Sequence, residues 1–150
     1  MNYIKEARHY LKYYGDMYRS LENMDKEISR LIRKTGPKEI SAIAYSSEKV
    51  SGGAGQDEAI NILFKLQKLI NSREETSKKL KEIDDLLDDL EKGYKYYGQV
   101  LRKWHIERTP KEKIAEEIGY SSRTSIYTLE AKAIRKFAVR LFGIDALKAI

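Results

Sequence analysis

An apolar residue recurs every three or four positions between residues 59 and 104, and this repeat constrains the fold more than any other feature of the sequence. Twelve of its fourteen positions are apolar and the alternation never slips, which is typical of a helix that packs along another helix. A continuous helix over 57–106 would extend for about 75 Å, too long for a lone helix in a small globular protein. We therefore expect a second helix of the chain, a second subunit, or both to cover it.

The repeat predicts a coiled-coil-like oligomerisation seam along this long helix, within an all-α fold that ends in a C-terminal helix-turn-helix domain. Arg73 and Thr76 are the two polar residues on it, and they mark either a polar register device or a break where the helix folds into a hairpin. The sequence leaves both interpretations open. The apolar seam residues that we expect to pair subunits are Leu66, Leu69, Leu80, Ile83, Leu87, Leu90, Tyr94 and Tyr97.

A second amphipathic pattern, at the start of the chain, predicts a helix over residues 3–33. Asp25 interrupts its apolar stripe, and Gly36-Pro37 follows as a stop signal. The stretch that comes next contains SGGAG at 51–55 and is interpreted as a flexible connector, because the Gly-Lys ending of a phosphate loop is missing.

Composition supports an all-α fold and argues against an enzyme. Charged residues make up 35% of the chain, with nine Gly and two Pro, which favours long solvated helices. The absence of Cys and the presence of only two His leave little material for a metal site, so we expect no metal and no cofactor. The acidic run at 84–89 could hold a divalent ion but is better interpreted as a solvated helix face. No apolar stretch approaches a membrane span, and we expect a soluble, cytoplasmic protein.

Charge is distributed unevenly along the chain, whose formal net charge is +6. The balance is +3 over residues 1–34, −2 over 35–100 and +5 over the last fifty residues. A basic C-terminal third behind a mildly acidic middle is expected when one end of a protein binds a polyanion, although ordinary solubility charge would produce it too.

The C-terminal third carries the pattern of a helix-turn-helix. A helix start at Thr109-Pro110 precedes a short apolar-sided helix, Gly119 supplies a turn, and a longer helix follows. A plain two-helix packing unit is the alternative. The chain is thus expected to comprise an N-terminal amphipathic helix (1–34), a Gly-containing connector (35–56), a long central helix (57–106) and a helix-turn-helix domain (107–150).

The second helix of this pair has one apolar side and one polar side. Its apolar side is predicted to be core and comprises Ile126, Leu129, Ala133, Phe137 and Leu141. Short hydroxyls near its N-terminus, followed by cations, match a helix laid N-terminus first into the major groove. The predicted contacts to base edges are Ser122, Arg123, Thr124, Tyr127 and Thr128. The predicted contacts to phosphates are Lys111, Lys132, Arg135 and Lys136.

Parts of the sequence resemble known families. The segments YGQVL at 97–101 and TPKEKIAEEIGYS at 109–121 resemble the DNA-reading region four of sigma factors. Its continuation SSRTSIYTLEAKAIRKFAVRLFG resembles ArpU/RinA-type phage regulators, and AYSSEKVSGG at 44–53 resembles a segment of the same family. The resemblance implies a long helical N-terminal part, a sigma-like helix-turn-helix, and a role in switching on late, packaging and lysis genes of phages or prophages.

These features favour a sequence-specific DNA-binding transcriptional regulator, most simply an activator. It would bind double-stranded DNA as a dimer and contact RNA polymerase through its acidic middle or its first helix. Two alternatives share the architecture. A packaging adaptor of the terminase small-subunit kind would assemble into a ring, and a sigma-like polymerase subunit would be monomeric when free.

Overall fold

The computed structural model describes residues 1–35, 54–119 and 123–148, and these residues are helical with no β-strand among them. The prediction of an all-α fold is confirmed. In chain order the elements are α1 (Tyr3–Lys12), α2 (Tyr14–Thr35), α3 (Ala54–Gly93), α4 (Lys95–Leu101), a π-helix (Arg102–Ile106), α5 (Lys111–Ile118), α6 (Arg123–Phe142) and α7 (Ile144–Lys148).

The chain forms two compact units. Unit 1 consists of residues 1–17 and 79–150, and unit 2 consists of residues 18–78, so that the boundary falls inside α2 and inside α3. Most of the predicted connector, residues 36–53, lies outside the described residues, as does the stretch at 44–53 that carried part of the family resemblance.

The first predicted helix is interrupted once, at Tyr13, whose φ of −98° and ψ of 9° separate α1 from α2. The Asn2 side chain caps α1 by accepting a hydrogen bond from the Lys5 amide at 3.1 Å. The interruption is small, because the Met17 amide still donates to the Tyr13 carbonyl at 2.8 Å.

The long central helix is continuous through the stretch at which the sequence allowed a break. It ends before the predicted end at residue 106. Residues 71–77 are helical, so the hairpin alternative is wrong. The helix stops at Gly93, and Tyr94 leaves the helical region with φ −137° and ψ 77°. Beyond this bend, Gly98 of α4 approaches Glu91 so closely that a Cβ at position 98 would lie 2.2 Å from the Glu91 Cγ. Any side chain at position 98 would therefore require Glu91 to move.

In unit 2, a polar residue that interrupts the long repeat pairs with the acid that interrupts the stripe of the first helix. Arg73, from the predicted seam, forms an ion pair with Asp25, the acid that interrupts the stripe of the first helix. The second contact of this pair, from Arg73 Nη2 to the other Asp25 oxygen, measures 3.3 Å. Leu31 and Leu66 are buried, and Lys34 lies 3.8 Å from Glu58. The two interruptions therefore compensate each other between α2 and α3.

Unit 1 is organised around α6, which contacts α1, α4, α5 and α7. The predicted core positions Ile126, Leu129, Ala133 and Phe137 are buried, whereas Leu141 is half-buried. The other buried core residues are Ala7, Leu11, Ile83, Leu87, Leu90, Val100, Leu101, Ile114, Ala115, Ile118, Ile134, Ala138 and Ala146.

The predicted seam residues Ile83, Leu87 and Leu90 lie inside this same core. Leu80, Ile83, Leu87 and Leu90 are buried within the single chain, and the last three pack in one cluster with residues of α1, α4 and α6. Leu66 is buried, Leu69 and Tyr97 are half-buried, and Tyr94 is exposed. The repeat is therefore satisfied here by packing within the chain, which leaves these four leucine and isoleucine side chains no surface for a second subunit.

Replacing Leu87 by alanine tests this assignment. Because the side chain fills a closed core, Leu87→Ala should lower the free energy of unfolding by about 2–5 kcal/mol. The loss should be the same at all protein concentrations in urea titrations followed by circular dichroism. Leu147→Ala is the control, since that leucine is 58% exposed and its loss should stay within about 0.5 kcal/mol. A concentration-dependent loss would instead assign Leu87 to an intersubunit contact.

Candidate nucleic-acid interface

Helix α5 and helix α6 are joined by a short segment that begins with a left-handed glycine. Gly119 has φ +91°, a conformation that favours glycine, and its amide donates to the Ala115 carbonyl at 2.9 Å. This confirms Gly119 as the residue that ends α5. The helix itself begins at Lys111, with Pro110 at the cap position and no side-chain cap hydrogen bond. Residues 120–122, which include the predicted base contact Ser122, lie outside the described residues.

The outward side of α6 carries the predicted polar residues that the structure describes. Thr128, Lys132, Arg135 and Lys136 are exposed, and Tyr127 on the flank is 44% exposed. The side chains of Arg123 and Thr124 lie outside the described residues. Burial of Ile126, Leu129, Ala133 and Phe137 on the opposite side fixes this orientation of the helix.

Three of the predicted phosphate contacts border one open groove on α6. Lys132, Arg135 and Lys136 line it together with Tyr97, Val139 and Leu147, around a volume of about 350 Å³. The Lys136 ammonium lies 4.9 Å from the centre of the Tyr94 ring, which is itself stacked on Tyr97 at 5.1 Å. Over the part of the chain that is described, Lys132 and Arg135 form no ion pair. The groove thus combines a basic rim with an apolar floor.

A second cluster gathers two predicted contact residues around Trp104. The Lys111 ammonium lies 4.9 Å from the centre of the indole, and the Tyr127 ring meets the indole edge to face at 4.9 Å and 90°. Lys111 was predicted to bind phosphate and Tyr127 to touch bases, whereas Trp104 was assigned only to the end of the apolar repeat. The sequence signal that could have drawn attention to Trp104 is its position directly before the helix-turn-helix pattern.

The π-helix that carries Trp104 was not predicted. Its first four side chains contact residues of α3, α5 and α6. Arg102 binds Asp88 at 2.6 Å and Glu91 at 2.8 Å on α3, and Lys103 binds Glu117 at 2.5 Å on α5. Trp104 reaches Lys111 and Tyr127, and His105 reaches α6. The wide π-turn therefore directs four neighbouring side chains towards three different helices.

His105 contacts Glu130, a buried carboxylate that the sequence analysis also missed. Both Arg8 Nε and Arg8 Nη2 donate to the Glu130 oxygens at 3.0 Å, and His105 Nε2 lies 3.1 Å from one of them. Burial raises the pKa of Glu130, but the hydrogen bonds to His105 and Arg8 outweigh it, so the pKa lies below the ordinary value. This site holds α1, the π-helix and α6 in one arrangement.

Other kinds of site receive no support from the described residues. No group of three or more His, Asp or Glu in residues 1–35, 54–119 and 123–148 is arranged to hold a metal ion. In the acidic run, Asp84 binds the Tyr14 hydroxyl, Asp85 binds Lys81 at 2.9 Å, and Asp88 binds Arg102. None of the described helices combines the length and the apolar composition that a membrane span requires.

Comparison of the chain with protein-family models, with curated proteins and with solved structures finds no match.

Replacing Glu130 by glutamine tests the buried carboxylate. Glu130→Gln weakens two charge-assisted contacts and should lower the free energy of unfolding at neutral pH by about 1–3 kcal/mol. Because the folded pKa of Glu130 is lowered, its charge stabilises the protein above the ordinary carboxyl pKa, and this stabilisation is lost as the pH falls through the folded pKa. Urea titrations at several pH values should therefore show the difference between wild type and variant shrinking in acid. Glu116→Gln, at an exposed position on α5, is the control and should show neither effect.

Proposed function

We propose that the protein is a sequence-specific DNA-binding transcriptional regulator in which α5 and α6 form a helix-turn-helix. The observation that carries this proposal is the outward side of α6, where the exposed residue Thr128 is followed by the exposed cations Lys132, Arg135 and Lys136. A helix with small polar groups towards its N-terminus and cations further along can place the former against base edges and the latter against phosphates.

In this mechanism the start of α6 enters the major groove. Ser122, Arg123, Thr124, Tyr127 and Thr128 contact base edges, while Lys111, Lys132, Arg135 and Lys136 neutralise phosphates. Phosphate contacts set the register of the protein on the duplex and supply most of the affinity, and base contacts select the sequence.

The distribution of ion pairs in unit 1 supports a polyanionic ligand on this face. Five of the acidic residues of unit 1, namely Asp85, Asp88, Glu91, Glu117 and Glu130, each have a basic partner within the unit. The cations Lys132 and Arg135 have none among the described residues. Positive charge is therefore left on the outward face of α6, where it would attract DNA.

The biological setting rests on the resemblance of residues 109–143 to sigma region four and to ArpU/RinA-type regulators. We propose on that basis that the protein activates late genes of a phage or prophage together with RNA polymerase. A dimer, with one helix-turn-helix on each half-site, is part of the same proposal. Because Leu80, Ile83, Leu87 and Leu90 are buried in unit 1, such a dimer has to use other residues.

Fluorescence anisotropy with labelled duplexes tests the proposal. Selection from a random duplex pool should enrich a preferred sequence, and the protein should bind it at least about a thousandfold more tightly than a scrambled duplex at the same salt concentration. Equal affinity for both duplexes would remove the claim of sequence-specific regulation.

Two substitutions should separate base contacts from phosphate contacts. Arg123→Ala should cost about 1–3 kcal/mol on the preferred duplex and little on the scrambled one. Lys132→Ala should weaken binding to both and reduce the slope of log affinity against log salt by about one. Lys68→Ala, an exposed cation of unit 2, is the charge-matched control and should leave the slope unchanged. Equal losses for Arg123→Ala on both duplexes would contradict the orientation proposed for α6.

A further inference from the structure

Trp104 is the single tryptophan of the chain, and it lies between the first residue of α5 and the first turns of α6. The Lys111 ammonium is 4.9 Å from the centre of its ring, and the Tyr127 ring meets it edge to face at 4.9 Å. The indole therefore contacts both the ammonium of Lys111 and the ring of Tyr127.

The indole is itself held firmly. Its backbone belongs to the π-helix, and the residues on both sides of it are anchored, Lys103 to Glu117 at 2.5 Å and His105 to Glu130 at 3.1 Å. The Trp104 and His105 rings are stacked, with their centres 5.9 Å apart. A ring fixed in this way can restrict Lys111 and Tyr127 before any ligand arrives.

Such restriction affects binding because long side chains lose rotamer freedom when they contact a ligand. Lysine loses the most, and a cation held over an indole face has already lost part of that freedom. An edge-to-face aromatic pair fixes the tyrosine ring in the same manner. The contacts therefore lower the cost of placing both groups against DNA.

We propose that Trp104 is a positioning residue of the DNA interface, which orients Lys111 towards a phosphate and Tyr127 towards the neighbouring nucleotide. The proposal rests on the DNA-binding function proposed above and deepens it. Trp104 acts through Lys111 and Tyr127, and it adds a residue of the π-helix to an interface otherwise formed by α5 and α6.

The test measures the affinity and the salt dependence of duplex binding for Trp104→Leu and Trp104→Phe. Trp104→Leu should weaken binding about five- to tenfold and reduce the salt slope by about one, as Lys111→Met does, because the ammonium is no longer held towards the phosphate. Trp104→Phe keeps an aromatic face and should restore most of the affinity and the slope. A purely structural role would lower the active fraction and leave the salt slope unchanged.

A double-mutant cycle shows whether Trp104 acts through Tyr127. The losses of Trp104→Leu and Tyr127→Leu should be non-additive, since the second substitution removes a side chain that is no longer oriented. Quenching of the single tryptophan by unlabelled duplex supplies an independent signal for wild type. Should Trp104→Leu fail to fold, a cycle of Lys111→Met and Tyr127→Leu in the otherwise wild-type chain carries the test, because both side chains contact the same indole and their losses should then be non-additive.

The outcomes distinguish this inference from the function on which it rests. If wild type binds no duplex, the proposed function fails and the role of Trp104 fails with it. If wild type binds a preferred duplex but a folded Trp104→Leu binds it with the same affinity and salt slope, only the positioning role is overturned. Additive losses in the cycle with Tyr127 would overturn it as well.

Discussion

The contact between Glu130 and Arg8 is the interaction on which the arrangement of unit 1 depends. A carboxylate with a side chain 5% exposed requires partners, and the two it has come from α1 and from the π-helix. Three segments that are widely separated in the sequence are therefore held by one charged group. The bidentate pair, with two contacts of 3.0 Å, fixes the register of α1 on α6 more strictly than apolar packing does.

Much of the fold follows from the periodicity of the sequence. The amphipathic pattern over 3–33 corresponds to α1 and α2, the repeat that begins at Ala59 corresponds to α3, and Gly119 ends α5 as expected. These features are local, because helix periodicity and a left-handed glycine depend on residues close in sequence. The core side of α6 was predictable for the same reason.

The features that could not be predicted depend on contacts between distant residues. The repeat passes through Tyr94 without a slip, so nothing in it indicates that the helix bends there and that α4 folds back until Gly98 meets Glu91. The repeat also does not indicate whether its apolar side packs against the same chain or against a second subunit. The π-helix and the pairing of Glu130 arise from tertiary packing that no short pattern encodes. In the candidate site, the exposed side of α6 was therefore predictable from the sequence, and the contacts of Trp104 with Lys111 and Tyr127 were not.

The participation of α1 in the core has a consequence for the order in which the protein can fold during synthesis. Ala7 and Leu11 are translated before α6, yet the surface they bury against includes α6, which follows after more than a hundred further residues. Until then the N-terminal helix has an uncovered apolar stripe. The core of unit 1 is thus completed only after α6 has been translated, and α1 and α6 become structured together.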